Sequence, residues 1–213
     1  MMMHGYGLSL VTAPTEEPVT LTQARKQCDL PDGYSYHDEE LVRLIAQARD
    51  AAELATARQF ITATWDLFMD AFPCGNNPIY VPLPRLQSVV ITYVDVDGAT
   101  QTWSSSNYTV STSREPGIVR LAYNVAYPAT RYQPDAVKVR FTCGYGANFT
   151  AVPPGIRGAI LLMVRGAFDN RSDIITGSIV NEMPAANNLL MQHYAGDEFT
   201  TYGVNRPTYS VSA

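Results

Sequence analysis

Hydrophobic and polar positions change period twice along this chain. From Asp38, the residues Leu41, Leu44, Ile45, Ala48, Ala51, Ala52 and Ala55 recur at helical spacing, while Arg43, Gln47, Asp50 and Arg58 fall on other faces. That pattern predicts a long amphipathic helix with one apolar stripe. Asp38 is the expected N-cap. Glu39 and Glu40 follow in the first turn, where carboxylates favour the positive end of the helix dipole. At Phe60 the period drops to two. Ala63, Trp65, Leu67 and Met69 then face one way, and Thr64, Asp66, Phe68 and Asp70 the other, so a strand follows the helix almost without a loop. Much of the helical stripe is alanine. Ala48, Ala52 and Ala55 let a second helix approach closely, from this chain or from a neighbouring copy.

The flanking segments extend the pattern. Leu8 to Val11 is a short apolar piece that ends before Pro14. Thr20 and Gln23 have capping-box spacing with Val19 as the staple, which predicts a short helix from Leu21 to Cys28. Pro31, Asp32 and Gly33 break it. From Phe60 to Thr150 the signals are β: about seven short strands, a hairpin at Asp97-Gly98, a turn at Glu115-Pro116-Gly117, and a clean alternation from Val137 to Cys143. Prolines in IYVPLP suit an edge strand. Helices return after Val152-Pro153-Pro154. Ile156, Ile160, Met163, Val164, Ala167 and Phe168 form one stripe of a second long helix, and Leu161 and Leu162 leave it apolar almost all round. Such a helix is expected between layers or subunits. Met183-Pro184 opens a short helix to about Tyr194, stopped by Gly196.

The predicted class is therefore α+β. Residues 1–59 and 151–195 form a small helical bundle, residues 60–150 an inserted antiparallel β-sandwich or barrel-like subdomain, and residues 196–213 an extended C-terminal tail.

Composition narrows the function. Charged residues are 16% of the chain and there are 13 tyrosines, a balance that suits extensive interfaces. The formal net charge is −5, so there is no global basic footprint for nucleic acid. Cys28, Cys74 and Cys143 show no CxxC spacing, which fits free thiols in a reducing cytoplasm. The start, MMMHGYGLSLV, lacks a signal-peptide pattern, and no apolar run approaches the roughly 20 residues of a membrane-spanning helix.

Candidate chemistry is sparse. Asp66 and Asp70 share a strand face about 13 Å apart, beyond either glycosidase geometry. Asp95 and Asp97 lie in a hairpin turn, where Asx residues belong, and the calcium-loop echo DVDG has Ser106 where a bidentate Glu is needed. His4, His37 and His193 lack ligand partners at metal spacing. Cys143 precedes Gly-Tyr-Gly without a nucleophile elbow. Tyr80, Tyr93, Tyr108, Tyr123, Tyr127, Tyr132 and Tyr145 all fall in the sheet region, as an aromatic platform or as ordinary packing. No catalytic, cofactor-binding or metal residue is assigned, and no cofactor is expected.

Several blocks, PVTLTQARKQCDL, DEELVRLIAQARDAAELATARQFITATWDLFMDAFP, IYVPLPRLQSVVITYVDVDGATQTW, YPATRYQPDAVKVRFTCGYG and VPPGIRGAILLMVRGAFDNR, together resemble the head-tail connector family of tailed phages, adaptors that dock directly on the portal. The resemblance runs from about Pro18 to Arg171, in the family's order. It implies a virion protein assembled in the host cytoplasm and no catalysis. Copies would form a ring, usually matching the portal's twelve-fold symmetry, with portal protein and the next neck, stopper or tail protein as partners. Genomic DNA would cross the lumen without sequence-specific binding, and no membrane is involved. Packing between copies falls to Ala48, Ala52, Ala55, Leu161 and Leu162. The chain continues beyond the point where family members commonly stop. Because the C-terminal segment of related connectors commonly reaches the portal, Phe199, Tyr202, Arg206 and Tyr209 are the implied portal anchors. The alternatives are a neighbouring stopper or tail-completion protein and, in a different class, a β-sheet module for glycans.

Overall fold

The computed structural model of the chain describes residues 6–170 and 184–195. They fall into two compact units, a helical one built from residues 14–61, 145–170 and 184–194, and a β unit built chiefly from residues 6–13 and 62–144. The class is α+β; among the described residues, every strand but the first lies in sequence between two helical halves.

The helical unit contains α1 (Leu21–Gln27), α2 (Asp38–Thr56), α3 (Pro154–Asp169) and α4 (Pro184–Met191). The expected capping box starts α1: Gln23 N donates to Thr20 Oγ1 at 3.2 Å, and Thr20 N donates to Gln23 Oε1 at 2.9 Å. The start of α2 differs from expectation. Its N-cap is His37, without a side-chain cap bond. Asp38 lies one residue inside, where Arg25 claims its carboxylate, Nε donating to Oδ1 at 2.8 Å and Nη2 donating to Oδ2. A two-pronged, charge-assisted pair outweighs a single cap bond. The stripe of α2 is buried at Leu41, Leu44, Ile45, Ala48 and Ala52, whereas Ala51 stands exposed at its margin. These side chains share a core with Ile156, Ala159, Ile160 and Val164 of α3 and with Ala186 and Leu190 of α4.

Among the described residues the β unit holds eight strands: β1 (Tyr6–Thr12), β2 (Ala63–Met69), β3 (Ile79–Val81), β4 (Leu86–Val94), β5 (Thr100–Trp103), β6 (Tyr108–Ser111), β7 (Gly117–Leu121) and β8 (Val137–Cys143). They form two antiparallel sheets, β1-β2-β8-β4-β5 and β3-β7-β6. Among the described residues both sheets end in open edges, so the unit is a sandwich and not a closed barrel. The proline-flanked β3 is indeed an edge. The opening apolar piece is also a strand: β1 pairs with β2 from Tyr6↔Met69 to Thr12↔Thr64. Leu67, Met69, Val137, Val139 and Phe141 of the large sheet share a core with Ile79, Val81, Tyr108 and Val119 of the small one. Gly117 permits a close approach. A Cβ there would lie 2.5 Å from Leu86 Cδ2 and 2.8 Å from Leu86 Cβ.

Candidate interaction surfaces

Asp66, Asp70, Asp95 and His37 are engaged in structural roles. Asp66 receives Arg140 through two parallel bonds of 2.8 Å, Nε to Oδ1 and Nη2 to Oδ2. That guanidinium holds the Asp66 carboxyl below the usual carboxylate range. Asp70 Oδ1 accepts from Asp135 N at 3.1 Å. Asp95 organises the hairpin turn: it accepts from Gln101 Nε2 at 2.9 Å, from Ala99 N at 2.9 Å and from Asp97 N at 3.1 Å. Those donors, led by Gln101, lower its pKa. His37 Nδ1 lies 3.1 Å from Glu40 Oε2, and its ring meets Phe168 edge-on at 5.2 Å. His4 lies outside the described residues. Among the described residues, no group of three or more His, Cys, Asp or Glu is placed to hold a metal ion, and no helix is long and apolar enough to cross a membrane. Cys28 and Cys143 are buried and Cys74 is exposed.

The seven tyrosines divide by environment. Tyr93, Tyr108 and Tyr127 converge on Phe72 and Trp103 in the β core, with Tyr127 stacked on Phe72 at 4.9 Å. Tyr127 donates from its hydroxyl to Asn77 O at 2.8 Å, and burial pushes its pKa up to about 12. Tyr123 and Tyr132 are 93% and 104% exposed on loops. Tyr80 packs on Ala195, and Tyr145 belongs to the helical unit beside Arg58. The tyrosines therefore serve chiefly as packing and do not make one platform.

The residues expected to pack between copies are distributed over α2 and α3. An open, almost wholly apolar groove of about 240 Å³ runs between the first half of α2 and the second half of α3, lined by Leu44, Gln47, Ala48, Met163 and Ala167. Ala48 forms part of its wall. Ala55 and Leu161 are half-buried, and Leu162 is 36% exposed. Ala52 is 0% exposed and already enclosed by its own chain. Phe199, Tyr202, Arg206 and Tyr209 lie outside the described residues.

One half-buried acid was not visible in the sequence. Glu53, on the last turn of α2, accepts at Oε1 from Phe60 N and from Gln59 Nε2, each at 2.8 Å. Its spacing resembles that of any helical surface carboxylate. Its enclosure arises only because the chain turns back through Ala57, in the left-handed region at φ 54°.

No protein-family model and no curated protein matches the chain. Solved structures do. The chain is similar to one from the neck of an empty gene transfer agent (GTA) particle computed with C6 symmetry, with a TM-score of 0.73 and 20% identity, covering 89% of this chain and 95% of that one. A chain of the native GTA virion gives a TM-score of 0.72 at 20% identity, covering 88% and 95%. A chain from the native GTA neck computed with C12 symmetry gives 0.65 at 21% identity, covering 89% and 95%. These chains share the fold across both units.

Proposed function

We propose that this chain is a non-catalytic structural protein of the neck of a tailed-phage-like particle, a ring-forming adaptor that joins the portal of the DNA-filled head to the next neck or tail component. The carrying observation is the fold likeness to GTA neck and virion chains, which extends over 88% or more of this chain and 95% of each of those. The C6 and C12 symmetries of the two necks support a ring of twelve copies, which satisfies both. The low charge content and the apolar groove on α2 and α3 suit permanent neighbours. Ala48, Ala55, Leu161 and Leu162 are the proposed contacts between copies, with Ala52 beneath them. Ring closure requires a heterologous contact, in which different faces of successive copies meet. Phe199, Tyr202, Arg206 and Tyr209 anchor the tail on the portal, since aromatic and arginine side chains dominate interface energetics. DNA passes through the lumen without base readout.

Negative-stain images of the assembled protein, alone or on portal-containing heads, are expected to show a ring with a central hole. A truncation after Gly196 is expected to remain folded and to lose attachment to those heads. Normal head attachment by the truncated chain would remove the portal-anchor assignment. Cross-linking to tail proteins and not to portal would assign the chain to a stopper or tail-completion role.

A further inference from the structure

Glu53 holds the place where the chain leaves the helical unit. The bond from Phe60 N fixes the outgoing chain to the end of α2. Phe60 is fully buried, and its carbonyl accepts from Tyr145 N at 2.9 Å on the returning chain. One step further, Ile61 and Gly146 form a parallel bridge. The two passages between the units are thus tied to each other, and through Phe60 to one carboxyl.

The charges around that carboxyl are poorly balanced. Arg49 and Asp50 act on it from α2, and Glu17 acts from the segment ahead of α1. Arg49 is already shared, donating to Glu17 from Nη1 and to Asp50 from Nε at 3.0 Å and Nη2 at 2.8 Å. Three carboxyls therefore divide one guanidinium, and Glu17 Oε2 is buried without a hydrogen-bond partner. On the joint itself, Arg58 Nε donates to the His193 backbone oxygen after α4, and its guanidinium carbon lies 6.0 Å from the Tyr145 ring centroid.

We propose that Glu53 is a proton-operated clamp: neutral, it keeps the Phe60–Tyr145 passage closed, and ionised, it favours local opening that brings water to those amides. Burial pushes the Glu53 carboxyl up to about 7 from 4.5, more strongly than the Phe60 bond and Arg49 pull it down. In the open state the carboxyl regains water and titrates near its ordinary value. Opening therefore becomes easier as pH rises from 4.5 through about 7, and levels off above. That separation corresponds to a change of up to roughly 300-fold in the opening equilibrium.

Hydrogen exchange on the full chain, corrected for the intrinsic pH dependence of amide exchange, tests the clamp. The segment 57–62 and the Tyr145 amide are expected to lose protection from pH 5 through about pH 7 and to level off by pH 8, a loss of roughly 70-fold over that range. Glu53→Gln keeps an acceptor oxygen for both donors and cannot ionise, so its protection is expected to stay high at every pH. Glu53→Ala is expected to show low protection throughout. Protection that does not change with pH in the native chain would overturn the clamp, as would the same loss in either variant.

Discussion

Asp66 sits on the outward face of β2 and is only 5% exposed, because Arg140 on the neighbouring β8 folds over it. The pair is two-pronged, and its arginine side chain remains 46% exposed. Removing the carboxylate therefore leaves a cation that water can still reach. Asp66→Asn is expected to cost about 1–2 kcal/mol at pH 7, measured by chemical denaturation. The sign with pH follows from the lowered folded pKa. The stabilisation is fully present above the unfolded value of 3.8 and disappears as pH falls through the folded one, so the native and variant chains converge in acid. The period-two pattern placed Asp66 correctly on the face opposite Leu67. Its burial was not legible, because the covering residue lies 74 positions away. Glu53 escaped for a different reason: its partners Gln59 and Phe60 are only six and seven residues on, but they reach it through the left-handed turn at Ala57, which helical spacing does not encode.

At the scale of single elements, legibility tracks how local the signal is. The start of α1 was readable because Thr20 and Gln23 satisfy each other across three residues, and Thr20→Ala is expected to lower stability by about 1 kcal/mol. The strand β1 was harder to read. Tyr6, Leu8 and Leu10 alternate with Gly7 and Ser9 over only five residues, and the partner of β1 among the described residues, β2, begins at Ala63. The alanine stripe of α2 was visible, but its residues divide into two roles once α3 is in place. Ala52 is fully buried in the helical core, so Ala52→Leu should overpack it and cost about 1–3 kcal/mol even in a single copy. Ala48 borders the open groove of about 240 Å³, where added methyl groups have room. Ala48→Leu is therefore expected to change the denaturation midpoint little and to impair ring assembly, followed by sedimentation. Normal assembly by Ala48→Leu would place the contact between copies elsewhere.

Taken as a whole molecule, the chain builds its helical unit from two halves separated by strands β2 to β8. That arrangement is feasible because the outgoing and returning chains run side by side. Ile61 bridges Gly146, and Ala63 pairs directly with Cys143. An antiparallel pair of facing residues can be joined by a two-residue Asn-Gly turn. Replacing residues 64–142 by Asn-Gly, and starting the chain at Pro14 so that β1 is not left without its partner, removes the β unit at a point the backbone already closes. The helical core from Val19 through Leu190 draws no side chain from the deleted segment. The shortened protein is expected to keep helical circular dichroism and a cooperative unfolding transition. It also separates the two surfaces on which a ring could be built. If contacts between copies run over α2 and α3, the shortened chain still self-associates under conditions where the full chain forms rings. A folded but strictly monomeric product would transfer ring closure to the sandwich, whose open edges at β1 and β5 would then be the surfaces to test.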